Sequence, residues 1–152
     1  MDKNFNSIEE ILDFAISKEY EARDFYTEWS SKVDNETLKD VLLSFANEEQ
    51  KHANLIMDVK NGKKFKPVEK KITDMKIAEY IVDIEPSKEM DYQEALIIAM
   101  KREKAAFKLY TDLADSSEDE NIRELFDALA QEEAKHKLRL ETIYDEVAYP
   151  EN

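Results

Sequence analysis

The hexapeptide Gln131-Glu132-Glu133-Ala134-Lys135-His136 decides how the rest of the sequence can be interpreted. Glu133 and His136 stand three residues apart, so in a helix they lie on one face, one turn from each other. A hexapeptide of the same type, Asn47-Glu48-Glu49-Gln50-Lys51-His52, occurs earlier, and the two segments contain both histidines of the chain. A helical Glu-x-x-His presented twice to the interior of one bundle is the ligand pattern of a carboxylate-bridged site for two metal ions.

The composition is that of a helical, acidic chain of single-domain length. The 152 residues include one Gly and three Pro, and 38% of them are charged, which favours helices. This length can bury a full core, so we expect one domain over residues 1–152. The formal net charge of −14 argues against nucleic acid and anionic membrane surfaces as partners.

Two absences from the sequence restrict the chemistry and the compartment. The chain has no Cys, which excludes disulfides and thiolate-ligated metal centres. The segment Met1-Asp2-Lys3-Asn4-Phe5 lacks a signal-peptide pattern, and no apolar run approaches membrane-spanning length. We therefore expect a cytoplasmic protein.

Apolar residues recur at alternating steps of three and four in four segments, which predicts four amphipathic helices of a bundle. Ligand-type residues interrupt each apolar stripe near its middle. The stripes are Ile8, Leu12, Ala15, Glu19, Ala22, Tyr26 and Trp29; Leu38, Leu42, Phe45, Glu49, His52, Ile56 and Val59; Tyr92, Leu96, Ala99, Glu103, Ala106, Tyr110 and Leu113; and Ile122, Phe126, Leu129, Glu133, His136, Leu140 and Ile143.

Capping patterns predict where these helices begin. Ser7-Ile8-Glu9-Glu10 and Ser117-Glu118-Asp119-Glu120 have the capping-box form expected before the first and fourth helices. Asp34-Asn35 can cap the second helix, and Asp91 the third. Gly62, the only glycine, is expected just after the last turn of the second helix, as a left-handed C-cap.

Residues 63–90 are too long for a tight turn between antiparallel helices. Met75 to Val82 could form a short amphipathic helix, which Pro86 would end. The whole stretch suits one long crossover between the second and third helices. The predicted fold is therefore an all-α four-helix bundle with a single long crossover connection.

The two halves of the sequence match at a constant offset of 84 residues. This offset relates Glu19 to Glu103, and it relates the two Glu-x-x-His motifs. It also relates Tyr26 to Tyr110. Two helix pairs related in this way form a bundle with an approximate two-fold axis, on which a pseudo-symmetric site would lie.

Six residues are the candidate ligands, and the cost of burying them supports that role. They are Glu19, Glu49, His52, Glu103, Glu133 and His136. Four buried carboxylates without counterions would cost several kcal/mol each, whereas two divalent cations cancel four negative charges. The alternative is that these Glu residues face water. Hard carboxylates with imidazole favour iron or manganese over zinc or calcium.

Neighbouring positions suggest supporting roles. Tyr26 and Tyr110 point inward two turns from their Glu, where each is either ordinary core or a hydrogen-bond donor to a metal-bound carboxylate of the other half. Ala22 and Ala106 would leave space beside the metals, or simply allow close helix packing. Glu48 and Glu132 precede a ligand by one position and are expected to be surface residues.

The duplicated Glu and Glu-x-x-His arrangement resembles the ferritin-like superfamily, and with Phe25-Tyr26 and Leu109-Tyr110 it resembles the rubrerythrin branch over residues 7–146. The resemblance implies a ferritin-like bundle with two iron ions per chain, with manganese or a mixed iron–manganese pair as alternatives. It also implies that Glu49 and Glu133 bridge the metals, Glu19 and Glu103 are terminal ligands, and each His binds one iron.

Two features depart from the rubrerythrin pattern. Ala106 stands where rubrerythrins carry a second Glu one turn after the third-helix ligand. The Cys-rich rubredoxin domain that usually supplies electrons is missing, so the resemblance implies a separate electron-donor protein. The site is then of the symmetric type also seen in bacterioferritins, but with little chain after Tyr149 to form the fifth helix of those cages, we expect no storage cage.

Three functions fit these observations. The resemblance favours a di-iron oxidoreductase that reduces hydrogen peroxide or dioxygen, in the manner of a peroxidase. A ferroxidase or iron-binding protein that oxidises or sequesters Fe(II) is the alternative, and a structural or sensory module is a third. We expect a homodimer, in which exposed side chains such as Tyr20, Phe107 and Tyr144 pack between subunits; alternatively, these are scattered surface residues.

Overall fold

A computed structural model describes residue 5 and residues 7–62, 75–82 and 91–148 of the chain. These contain four long helices: α1 (Ile8–Ser30), α2 (Glu36–Gly62), α3 (Tyr92–Ser116) and α4 (Glu120–Ala148). One short 3₁₀ helix, Ile77–Tyr80, precedes α3. The predicted all-α four-helix architecture is confirmed.

Three of the predicted caps are present at the helix starts. The Ser7 hydroxyl accepts a hydrogen bond from the Glu10 backbone N–H at 3.1 Å. Asn35 Oδ1 accepts from the Leu38 N–H at 3.0 Å, and Asp91 Oδ1 accepts from the Glu94 N–H at 2.8 Å. Each side chain thus satisfies one of the backbone donors that a helix leaves unpaired in its first turn.

The predicted cap of the fourth helix is wrong by two residues. Asp119, not Ser117, caps α4, because its Oδ1 accepts from the Ile122 N–H at 3.1 Å. Ser117 is fully buried, and its hydroxyl donates to the Asp119 carbonyl at 3.2 Å. A carboxylate one residue before the helix is the better cap here because it also interacts favourably with the helix dipole.

Two further boundaries differ from the predictions. Gly62 is the last residue of α2 and does not follow it. Met75 to Val82 do not form an amphipathic helix: only Ile77–Tyr80 turn, and Lys76 and Ile81 on either side are extended. Met75 and Tyr80 are the buried anchors of this segment, and Tyr80 donates a hydrogen bond to Asp112 of α3 at 2.7 Å. The predicted break at Pro86 lies outside the described residues.

The helices pack as two pairs, α1 with α2 and α3 with α4, and the pairs meet through α1–α3 and α2–α4 contacts. Apolar residues fill the bundle in two clusters, one toward each end. The first includes Leu12, Ala15, Ile56, Leu113 and Phe126, and the second includes Leu42, Phe45, Leu96 and Leu140. None of the helices in the described ranges is long and apolar enough to cross a membrane.

Candidate metal centre

The six candidate ligands come together in a polar layer between the two apolar clusters. All are nearly inaccessible to solvent: Glu19 2%, Glu49 1%, His52 5%, Glu103 2%, Glu133 1% and His136 3%. Each occupies a position in the apolar stripe of its helix where an apolar residue would otherwise lie. Since ionised groups are very rarely buried without partners, this layer requires a compensating charge.

The ligand atoms form two overlapping groups. Glu19, Glu49, His52 and Glu133 form one, and Glu49, Glu103, Glu133 and His136 form the other. Within each group, one ligand atom per residue lies within 4.8 Å of all the others. Glu49 and Glu133 belong to both groups and therefore lie between two candidate cation positions.

Both histidine rings turn the Nδ1 atom toward the carboxylates. His52 Nδ1 lies 2.7 Å from Glu133 Oε1 and 3.4 Å from Glu49 Oε1. His136 Nδ1 lies 3.3 Å from Glu49 Oε1 and 3.6 Å from a Glu103 oxygen. The two rings are nearly parallel, with centroids 6.2 Å apart. One imidazole thus faces each candidate cation position.

Each of the six residues carries one buried polar atom that makes no well-oriented hydrogen bond within the described part of the chain, although some of these atoms lie close to one another. These atoms are Glu19 Oε2, Glu49 Oε1, His52 Nδ1, Glu103 Oε2, Glu133 Oε1 and His136 Nδ1. A buried polar atom left unpaired costs about 1–3 kcal/mol, and more when charged. All six point into one volume, so two divalent cations would satisfy every one of them. The residues therefore fit the two-metal group that the sequence implies.

The predicted hydrogen bonds from the inward tyrosines are present and cross between the halves. The Tyr26 hydroxyl of α1 donates to Glu103 of α3 at 2.6 Å, and the Tyr110 hydroxyl of α3 donates to Glu19 of α1. Burial, together with the facing carboxylates, raises the pKa of both tyrosines well above the ordinary value. Both hydroxyls therefore remain neutral donors, and each leaves the second oxygen of its carboxylate free.

The crowded carboxylates cannot all be ionised without cations. Burial and the neighbouring Glu49 raise the pKa of Glu19 to about 8, and burial and Glu103 raise that of Glu133 well above its usual value. Burial also opposes ionisation of Glu49, but the neighbouring imidazoles of His136 and His52 outweigh it and lower its pKa to about 2. The metal-free layer thus holds protons on some of its carboxylates.

The same carboxylates raise the pKa of the two histidines, which burial alone would lower. Burial lowers the pKa of His52, but Glu19 and Glu49 outweigh it and raise the pKa to about 10. His136 behaves likewise, with Glu103 and Glu49 raising its pKa to about 11. Both rings are protonated at neutral pH in the metal-free protein, and metal binding must displace those protons.

Glu48 is not the plain surface residue that its position predicted. Its carboxylate contacts His136 Nε2, the ring nitrogen facing away from the other ligands. Glu132, its counterpart in the second half, pairs instead with Lys135 at 3.2 Å, as expected of a surface residue. A ligating histidine generally donates its second N–H to a carboxylate or carbonyl, and this rule was the signal that could have singled out an acid beside a ligand.

A cavity of about 450 Å³ between α1 and α3 reaches the polar layer. Its walls include Phe25, Ala22, Ala106 and Ile81, and its inner end is lined by the four carboxylates Glu19, Glu49, Glu103 and Glu133. Ala22 and Ala106 thus leave open space beside the ligands. The cavity therefore leaves room for a small molecule beside the layer.

This fold and this site define a class: four-helix proteins with a ferritin-like fold and a buried cluster of glutamates and histidines able to hold metal. The model of the rubrerythrin family matches residues 10–146 of the chain. The protein therefore belongs to the rubrerythrin family. No significant match was found among curated proteins.

Two solved structures have the same fold. One, from Thermotoga maritima, is named as a proposed ferritin-like diiron-carboxylate protein; it has a TM-score of 0.79 and 23% identity over 95% of this chain and 99% of its own. The other is a hypothetical protein from Pyrococcus furiosus, with a TM-score of 0.77 and 26% identity over 97% of this chain and 94% of its own. At this level of identity the first likeness supports the fold alone.

Proposed function

We propose that the protein is a di-iron redox protein that reduces hydrogen peroxide or dioxygen with electrons from a separate donor protein. The observation that carries the proposal is the set of six buried, unpaired ligand atoms, one from each predicted ligand, directed at two overlapping positions. Carboxylate and imidazole ligands without thiolate suit iron or manganese. Membership of the rubrerythrin family supports the iron assignment.

The residues of the chain divide the work in this proposal. Glu49 and Glu133 would lie between the two ions, Glu19 and Glu103 would each hold one, and His52 and His136 would complete the two positions. Iron bound there would supply the electrons for the two-electron reduction of peroxide to water. Tyr26 and Tyr110 hold the terminal carboxylates in place, and the apolar clusters exclude bulk water.

Access and electron supply complete the proposal. The cavity beside Ala22 and Ala106 admits a molecule the size of peroxide or dioxygen to the carboxylates. Reduction of peroxide consumes two electrons and two protons, and the chain has no Cys with which to bind a rubredoxin-type iron. A partner protein would therefore return the electrons after each turnover.

The deciding experiment is anaerobic loading with Fe(II), followed by measurement of the iron content and of peroxide consumption. We expect two irons per chain, fast oxidation by peroxide, and renewed consumption when a chemical reductant is added. Less than one iron per chain would contradict the site. Two irons that react with dioxygen in a single oxidation, then leave the protein, would replace the proposal with a ferroxidase.

The ferroxidase alternative has its own supporting observation. Ala106 stands where the rubrerythrin pattern has an additional carboxylate, and the net charge of −14 attracts cations to the surface. Iron release after one oxidation, with no turnover under reductant, is the behaviour that this alternative requires.

The access route can be tested by filling the cavity. Replacement of Ala106 by Leu should slow oxidation by peroxide by about tenfold, or ~1.4 kcal/mol, because the added side chain occupies the space beside the carboxylates. The iron content should not change. Ala134→Leu, which adds the same volume on α4 at a residue outside the cavity lining, is the control. Equal rates in both variants would exclude this route.

A further inference from the structure

Glu48 contacts His136 as part of a three-sided arrangement built by one turn of α2. Phe45 stacks on the imidazole, with ring centroids 4.3 Å apart and planes 27° from parallel. Glu48, three residues on, meets Nε2. Glu49 lies 3.3 Å from Nδ1 on the other side of the ring. The face and both nitrogens of His136 are therefore fixed by a single helical turn.

The corresponding turn of α4 makes different contacts with His52. Leu129, which cannot stack as an aromatic ring, replaces Phe45, and Glu132 pairs with Lys135 three residues later on the same helix. Among the residues that the structure describes, only the third contact has an equivalent, since Glu133 lies 2.7 Å from His52 Nδ1. The ligands themselves repeat between the halves, but the support behind the two histidines does not.

We propose that Glu48 is a positioning residue that makes the two metal positions unequal, so that the position at His136 binds its cation more tightly and fills first. A carboxylate accepting the Nε2 proton fixes the tautomer that leaves Nδ1 free to bind, and it makes that nitrogen a stronger donor. Glu48 is half exposed, with 39% of its side chain accessible, so its contact is not needed to fill the core. The inference rests on the two-metal site of the proposed function and adds an order of filling.

The test is a titration of the metal-free protein with Co(II), followed by absorption and calorimetry. The wild type should bind two ions in two resolved steps. Glu48→Gln should weaken the tighter step by about 10–100-fold, the usual effect of losing such a partner. Glu132→Gln is the matched control, because it makes the same change at the equivalent position and should leave both steps unaltered.

A second readout does not depend on affinity. The chain has only two histidines, so ¹⁵N-histidine spectra of the zinc-loaded protein contain only two imidazoles. One Nε2 proton should be protected from exchange in the wild type and in Glu132→Gln, and it should lose that protection in Glu48→Gln. A merely structural effect of the substitution would not select one ring.

Each outcome bears on the inference. Two steps that shift only in Glu48→Gln support it. Two ions bound with one affinity, or equal effects of the two substitutions, overturn it and leave the proposed function standing. A wild-type protein that binds neither cobalt nor iron overturns both.

Discussion

The two helix pairs are alike inside the bundle and different outside it. Inside, each pair supplies a Glu, a Glu-x-x-His and a Tyr whose hydroxyl binds a carboxylate of the other pair. Outside, Arg23, Gln50 and Asn54 of the first pair form a hydrogen-bonded row, and their counterparts Phe107, Ala134 and Leu138 are apolar. Four carboxylates buried together tolerate little variation, whereas a solvent-facing surface accepts polar and apolar residues alike.

The largest effect is expected inside the bundle, at the two residues that belong to both candidate metal groups. Replacing Glu49 and Glu133 together by Gln should abolish binding of both ions, because each position loses two of its three carboxylates. His52→Ala and His136→Ala should each reduce the affinity of one position only. Metal analysis with circular dichroism checks this, and retained metal in the folded double variant would show that the ligands lie elsewhere.

The stability of the metal-free protein should depend on pH through the titratable groups of the polar layer. His52 and His136 have folded pKa values above their unfolded ones, so the stability they contribute is present below about pH 6.5 and lost as pH rises toward 10–11. Glu19, with a pKa near 8, opposes folding increasingly from about pH 4.5 to 8. Each group alters the free energy of unfolding by up to about 1.4 kcal/mol per pH unit within its window.

The expected result is that the metal-free protein loses stability between pH 7 and 10 and that metal ions abolish the loss. Denaturant unfolding at several pH values, with and without Zn(II), measures it. Metal-free stability that is constant or rises over this range would contradict the assigned protonation. The Glu49→Gln/Glu133→Gln variant, which has two fewer ionisable groups, should show a shallower slope.

The crossing tyrosines offer a smaller and more symmetrical test. Tyr26→Phe and Tyr110→Phe should each lower the free energy of unfolding of the metal-free protein by about 1–3 kcal/mol, because each leaves a buried carboxylate oxygen unpaired. The two substitutions should cost similar amounts, since the two contacts are equivalent. Urea unfolding compares them. A Tyr92→Phe control, at a partly buried tyrosine outside the polar layer, should change stability less.

Substitutions on the solvent-facing sides of the helices should have the smallest effect on stability. Leu138 is 64% exposed, so replacing it by Asn, the residue at the equivalent position of the first half, should change stability by less than about 0.5 kcal/mol. Leu140→Ala, two residues along and fully buried, should cost about 2–5 kcal/mol. If Leu138→Asn instead lowered the unfolding midpoint in a concentration-dependent way, this face would be a subunit interface.

Much of the fold could be predicted because the bundle depends on a simple periodicity. An apolar stripe with alternating three- and four-residue steps fixes which face of each helix is buried. The same stripes predicted the positions of the six polar residues in the layer. Short-range chemistry predicted three of the four caps. The fourth failed because Ser117 and Asp119 both have capping side chains, and only the folded backbone decides between them.

What the sequence left unpredicted depends on contacts between helices. The periodicity predicts that Glu48 lies at the surface. A residue beside the apolar stripe of α2, however, also faces the neighbouring α4, where His136 lies. Its counterpart Glu132 has the same periodicity and a different partner. The segment around Ile77–Tyr80 was predicted wrongly for a related reason: its shape follows from anchoring at Tyr80 on α3, not from its own helical pattern.

The crossing tyrosines also bear on how such a chain could have arisen. One helix pair carries two candidate carboxylate ligands, an imidazole and a phenol, and its phenol binds the carboxylate of the other pair. A single hairpin of this kind cannot complete a site, whereas two copies related by a two-fold axis complete it at once. An ancestral dimer of identical hairpins, later joined by gene duplication and fusion, would have contained the whole centre before the two copies began to diverge.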